Sequence, residues 1–248
     1  MKKKTRLDLI VVEKGLAQSR HRARALIMAG KVLVNNKPAD KPGTPVSGDD
    51  EIILRGEDIP YVSRGGLKLE SALEAFNIKV DGLVCLDAGA STGGFTDCML
   101  QRGAKRVYAV DVGYGQFAWK LRQDPRVIVI ERTNIRYMQE EAIPELVDLV
   151  TIDVSFISLR IVVPAILKFM RGKGRILALI KPQFEVGKGN VGKGGVVRDT
   201  ALHDEVIQSL RDFFDGIGLF CEAVVPSPIL GPKGNKGFII SIKKGKLK

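Results

Sequence analysis

Two lysines and an aspartate carry the residue types that acid–base chemistry needs. Asp153 closes the apolar run 147–153, Lys181 follows the run 174–180, and Lys68 sits in a helical pattern upstream of both. A buried ammonium loses its hydration, so it either takes a carboxylate partner or sheds its proton. Both outcomes suit a base-assisted attack in which an alcohol of high pKa gives up its proton while its oxygen strikes an electrophilic methyl group. A lysine flanked by Asp153 stabilises the developing alkoxide or accepts the proton. An ordinary ion pair closing the end of a sheet is the plainer reading of the same three residues.

A second group could hold a ligand. Residues 83–96 run from apolar residues ending at Asp87 into Gly89, Ala90, Ser91, Thr92, Gly93 and Gly94, and then into a helical pattern. Strand, loop and helix follow, and a glycine loop of this kind lets a ligand approach the backbone N–H groups at a helix N-terminus. Asp111, about 20 residues further on, ends the next apolar run, where an acidic group accepts hydrogen bonds from ribose hydroxyls. The spacing Gly89-x-Ser91-x-x-Gly94 departs from the G-x-G-x-x-G that cradles a pyrophosphate, and so favours S-adenosylmethionine over a dinucleotide. A tight turn without a ligand, and a cap or surface role for Asp111, are the alternatives. The glycine-rich stretch 187–195, with Lys188 and Lys193, lacks the Gly-Lys-Ser/Thr of a triphosphate loop. It reads as a mobile basic lid that orders on RNA, or as a merely flexible loop.

Composition agrees with a polyanionic partner. The 248 residues are 45% hydrophobic, enough for a sizeable core, and carry 39 Lys+Arg against 28 Asp+Glu, a net charge of +11. Nucleic acid and anionic membrane both qualify. The basic start Met1-Lys2-Lys3-Lys4 meets no signal-type apolar segment and no run is long enough to span a bilayer, so a cytoplasmic protein without stable membrane insertion is expected. Cys85, Cys98 and Cys221 lie far apart and His21 and His203 are isolated, a pattern of reduced core thiols without a metal site.

The elements that must position these residues fall into two domains, 1–60 and 61–248. In the first, a helix through Leu7, Ile10 and Val12 stops at Gly15. Ser19 caps a second helix running to Met28, with Arg20, Arg22 and Arg24 on a basic face and Ala23, Leu26, Ile27 and Met28 on a buried one. Short strands follow at 31–38 and 51–54. The stretch 56–66 reads as the linker, with Ser63-Arg64-Gly65-Gly66 opening a helix through Leu67, Leu69, Leu73 and Phe76. Strands are then expected at 83–87, 106–111, 127–130, 147–153 and 174–180, with helices at 94–101, 116–122 and 159–170. A last helix at 200–214 precedes strands 219–225 and 238–242, an antiparallel hairpin at one edge. Such alternation gives an α/β, Rossmann-like fold, a doubly wound and mostly parallel sheet covered on both faces.

The series Arg6-Leu7-Asp8, Gly15-Leu16-Ala17, Ser19-Arg20, Ala23-Arg24, Ile27, Gly30-Lys31-Val32 and Val34-Asn35 resembles the S4-type RNA-binding domain. The resemblance implies that the helix from Arg20, the turn to Lys31 and the strand turn beyond it contact RNA phosphates. Arg6, Ser19, Arg20, Arg22, Arg24, Lys31, Asn35 and Lys37 are the candidates there, with Arg64, Lys188 and Lys193 in the second domain. The segments 63–69, 87–97, 153–159, 181–185 and 227–228 resemble the TlyA family, in which an S4-type domain precedes an FtsJ-like methyltransferase domain of class I fold. That resemblance implies S-adenosylmethionine-dependent 2′-O-methylation of ribosomal RNA, with ribosomal RNA or ribosomal subunits as partner. Lys68, Asp153 and Lys181 match the first three members of a Lys-Asp-Lys-Glu catalytic set, and Thr133 and Asn134 would lie beside the adenine. The family glutamate follows a Gly-Pro-x-Gly-Asn segment, and here the aligned residue is Gly237. Glu185 and Glu222 are the carboxylates available to replace it. An RNA-binding, ribosome-associated protein that keeps the cofactor pocket but catalyses poorly is the alternative. A membrane-lytic protein is a third reading, because members of the family have been named haemolysins.

Overall fold

The computed structural model describes residues 4–17, 19–55, 59–192 and 194–244. It divides into two compact units, Met1–Pro60 and Tyr61–Lys248. In the first, strand β1 (Thr5–Arg6) leads into helices α1 (Leu7–Glu13) and α2 (Arg20–Met28). Strand β2 (Val32–Val34) lies between β3 (Lys37–Ala39) and β5 (Ile52–Leu54), and β4 (Pro45–Val46) pairs with β1. The core is Leu7, Val11, Ala23, Leu26, Ile27 and Val32. Ser19 caps α2 by accepting from the Arg22 N–H at 3.2 Å, and Gly15 and Gly30, with φ of +70° and +67°, turn the chain out of each helix. Met28, expected in the core, is 61% exposed, because the buried stripe of α2 is Ala23, Leu26 and Ile27 and helical spacing puts the next residue beyond it.

The second unit is built on a seven-stranded sheet. In chain order its elements are α3 (Gly65–Ala75), β6 (Val84–Ala88), α4 (Gly94–Gln101), β7 (Arg106–Val110), α5 (Trp119–Arg122), β8 (Val127–Ile130) and β9 (Val147–Ile152). Then come α6 (Leu159–Ile166), β10 (Met170–Ile180), α7 (Pro182–Glu185), α8 (Thr200–Gly216), β11 (Leu219–Pro226) and β12 (Phe238–Lys244). The strand order is β11-β12-β10-β9-β6-β7-β8. Side chains alternate across the sheet. Leu86, Val150 and Ile152 face the helices α6 and α8, while Cys85 and Leu149 face α3 and α4.

The hairpin expected at one edge is present, and the structure refines three details. The hairpin of β11 and β12 forms, but β12 inserts between β11 and β10, so β12 alone runs against the sheet and β11 is the edge. The helix expected to reach Met170 is α-helical to Ile166 and continues as a 3-10 turn over Leu167–Phe169, stopping there because Met170 pairs with Val147 of β9. The helix expected from residue 116 starts at Trp119, because Ala118 is extended and its N–H donates to the Thr92 carbonyl of the glycine loop. Among the described residues no helix is long and apolar enough to cross a membrane.

Candidate active site

The C-terminal ends of β6, β7, β9 and β10 carry the site. Lys181 follows β10 and Asp153 follows β9, and these strands are parallel neighbours, so the two side chains emerge side by side. The Lys181 ammonium lies 2.7 Å from Asp153 Oδ1 and also donates to Ser155 Oγ at 2.9 Å. Lys68 Nζ donates to the other Asp153 oxygen at 3.1 Å. Burial raises the Asp153 carboxyl, but the charges of Lys181 and Lys68 outweigh it and hold the group below the usual carboxylate range.

Lys68 reaches this point because α3 is locked against α4. Asp97 of α4 accepts from the Val62 N–H at 2.8 Å, and the Tyr61 hydroxyl donates to Glu70 of α3 at 2.7 Å. The glycines permit the approach: a Cβ at Gly94 would stand 2.9 Å from the Gly66 nitrogen, and one at Gly66 would overlap the Tyr61 ring.

Three hollows meet at the trio. The first, about 860 Å³, runs from Gly89, Ser91 and Asp111 past Thr133 and Asn134 to Asp153, with an apolar wall of Ile135, Val154 and Ile161. Its volume and mixed lining suit a nucleoside-sized ligand. The second, about 370 Å³, is bordered by Ala90, Thr92, Gly94 and Arg64 and by all three charged residues. The third, about 460 Å³, lies on the other side of Lys68 and Lys181 and reaches Gly237. Ser155 borders all three. Phe156, between the first and third, was not picked out by sequence reasoning. It is 90% exposed at φ +65°, its ring 5.0 Å from that of Phe184.

The glycine loop is held in shape from both sides. Asp111 accepts from the Ser91 N–H at 2.8 Å and from the Gly113 N–H at 2.6 Å, joining the ends of β6 and β7. Gly89, at φ +86°, lets the loop close on β9, since a Cβ there would stand 2.9 Å from the Asp153 carbonyl oxygen. Two residues expected to touch a cofactor border neither of the hollows nearest the loop. Asp87 is fully buried, accepting from Thr96 Oγ1 at 2.7 Å and Thr151 Oγ1 at 3.2 Å; burial pushes its carboxyl up to about 7 against those hydrogen bonds. Gly93 is covered by Phe117 and Leu121, so both residues shape the loop from beneath.

Neither substitute for the missing glutamate is available. Glu185 accepts from Ser158 Oγ at 2.6 Å and from the Leu159 N–H at 2.8 Å, capping α6, and Glu222 pairs with Lys243, Arg175 and Ser241 on β12 and β10. At the end of the glycine-rich stretch Lys233 donates to the Gly194 carbonyl at 2.9 Å and Asn235 to that of Gly195 at 3.0 Å. Lys193 lies outside the described residues, as does the side chain of Lys188.

The FtsJ-like methyltransferase family matches residues 61–244. The chain belongs to that family, and within it to the TlyA group. The S4 domain family matches residues 5–52. The 16S/23S rRNA (cytidine-2′-O)-methyltransferase TlyA of Mycobacterium tuberculosis is 48% identical over 244 residues, 98% of this chain and 91% of that protein. Hemolysin A of Brachyspira hyodysenteriae is 42% identical over 231 residues, 93% of this chain and 96% of that protein. A solved structure described as "Putative hemolysin from Streptococcus thermophilus" superposes with a TM-score of 0.78 at 43% identity, covering 99% of this chain and 90% of that one.

In the S4 unit of this FtsJ-like methyltransferase, a residue that sequence reasoning left aside organises the basic surface. Asp8 is fully buried and accepts from Arg6 at 2.9 and 3.0 Å and from Arg20 at 3.0 Å. The Arg6 hydrogen bond outweighs burial and, with Arg20, lowers the carboxyl to about 2. Arg24, Lys31 and Lys37 are exposed. Ser19 is engaged in its cap, and Asn35 donates to Asp50 at 2.9 Å and accepts from the Glu51 N–H at 2.9 Å, so both shape the surface.

Proposed function

We propose that this chain methylates ribose 2′-hydroxyls of ribosomal RNA, using S-adenosylmethionine, in the cytoplasm. The observation that carries the reading is the convergence of Lys68 and Lys181 on Asp153 where the hollows meet. The first hollow fits the cofactor: Gly89 and Ser91 offer loop backbone, Asp111 offers an acceptor for ribose hydroxyls, and Thr133 and Asn134 border the far end beside the apolar wall. Bound there, S-adenosylmethionine supplies a methyl group on a positively charged sulfur. The two lysines present positive charge to the hydroxyl oxygen as its bond to the methyl carbon forms, the hydroxyl proton passes to water, and Asp153 holds both ammonium groups in place. The 2′-hydroxyl distinguishes RNA from DNA and serves as both handle and nucleophile. Phe156 offers a flat face for a base, and Arg6, Arg20, Arg24, Lys31 and Lys37 offer charge for the RNA backbone.

Methyl transfer from labelled cofactor to ribosomal RNA and to isolated subunits tests this. Incorporation that depends on Lys68 and Lys181 is expected; none above a Lys68→Ala control would overturn it. A second reading, a ribosome-associated RNA-binding protein with a retained pocket, is favoured by Gly237, which leaves Asp153 as the one carboxylate in contact with the two lysines among the described residues. Binding of cofactor and RNA without transfer would support that reading.

A further inference from the structure

The third hollow has a charge that its described neighbours do not balance. Lys68, Lys181, Lys233 and Lys236 border it, together with Gly237 and the apolar side chains of Leu179 and Phe184, and no carboxylate borders it among the described residues. Asp153 supplies one negative charge to Lys68 and Lys181 together, from their far side. Of the acids nearby, Glu185 is committed to Ser158 and Leu159, and Asp204 borders a separate hollow that shares Lys236 and Gly237 with this one. Like charges gathered around a concave, low-dielectric wall raise the local potential and attract a counter-charge. The buried Gln183 Oε1 on the same wall has no hydrogen-bond partner, and turning the amide over presents its NH₂ to an anion.

We infer that the hollow beside Gly237 is an oxyanion subsite, filled by a phosphodiester of the substrate RNA or by a free small oxyanion. The absent side chain makes the room. A Cβ at Gly237 would meet Leu179 Cδ1 at 3.3 Å and the Ile180 carbonyl oxygen at 3.4 Å, so a longer side chain fits with a small shift and would occupy the hollow itself. The RNA source rests on the ribose-methylation reading; the subsite does not.

Calorimetric titration of the full-length protein with sodium phosphate at constant ionic strength tests it, with no cofactor and no methyl transfer involved. One saturable site is expected in the wild type. Gly237→Glu, which places a carboxylate beside the lysines, should weaken it by about tenfold or more, and Lys233→Ala/Lys236→Ala by a few fold. No saturable site in the wild type, or unchanged affinity in the variants, would overturn the inference. Should Gly237→Glu fail to fold, the double-lysine variant decides. RNA then identifies the source. If phosphate competes with RNA in the wild type, and Gly237→Glu reduces the salt slope of RNA binding by about 0.7, the anion is an RNA phosphodiester. If phosphate binds without affecting RNA, the subsite takes a free oxyanion.

Discussion

Lys181 stands 2.7 Å from Asp153, and the same ammonium donates to Ser155 at 2.9 Å. The lysine is thus fixed from two sides, by the residue that follows β9 and by Ser155 two residues on. A cation held this way gains little freedom to move away when a hydroxyl arrives, which is the condition for stabilising charge that develops during reaction.

Replacing Lys181 by Met keeps most of the volume and removes the charge. Methyl transfer should fall by roughly 100-fold or more, with the affinity for RNA changed much less, because the loss is of charge stabilisation in the transition state. Single-turnover rates and RNA binding measured side by side check this. Equal losses in both would instead make Lys181 a binding residue.

Asp87 gives a stability prediction with a defined sign. Its folded carboxyl titrates near 7, above the ordinary value of 3.8, so the folded state holds a proton that the unfolded chain has released. The contribution is undiminished below the unfolded value and is lost as pH rises toward 7, amounting to roughly 4 kcal/mol at most for a shift of this size. Asp87→Asn cannot ionise. Its stability relative to wild type should therefore improve steadily between pH 4 and 7 in urea unfolding, and a parallel pair of curves would contradict the assignment.

Gly89 is a place where the backbone leaves no choice. At φ +86°, with the Asp153 carbonyl oxygen 2.9 Å from an added Cβ, Gly89→Ala must move either the loop or the end of β9. A loss of about 1–3 kcal/mol in stability is expected, together with weaker cofactor binding, since Ser91 and Asp153 on either side border the first hollow. Thermal unfolding and cofactor titration of the same variant separate the two effects. Unchanged cofactor affinity would remove the loop from the binding site.

The legible part of the site was its chain order, because Asp153 and Lys181 follow apolar runs that can only be buried strands. Their meeting was not legible. It depends on β10 lying beside β9, and on α3 docking Lys68 through Gly66 and Gly94, neither of which leaves a local pattern. The insertion of β12 is equally silent, since a strand buried on both faces reads the same whichever neighbours it takes. Asp87 and Gly93 look in sequence like their neighbours in the loop; only the turn decides which side chains face a hollow and which lie beneath. Asp8 is illegible for a related reason. An acid in the first turn of a helix ordinarily faces water and complements the helix dipole, and nothing local reveals that two arginines close over it.

That enclosure yields the last prediction. Asp8 is buried while Arg6 and Arg20 remain about half exposed, so the carboxylate holds two guanidinium groups at a fixed spacing on the surface of the S4 unit. Its folded carboxyl is lowered to about 2, so its stabilising effect is present above pH 4 and is lost as pH falls through about 2. Asp8→Asn keeps the shape but abolishes both ion pairs while adding one unit of positive charge. Were charge alone responsible for binding, RNA affinity would rise. If the fixed geometry of Arg6 and Arg20 matters, affinity should instead fall by a few fold despite the added charge, because the arginines must be ordered on binding. Filter binding of ribosomal RNA to the full-length variant distinguishes the two directions, and tighter binding would remove Asp8 from the positioning role.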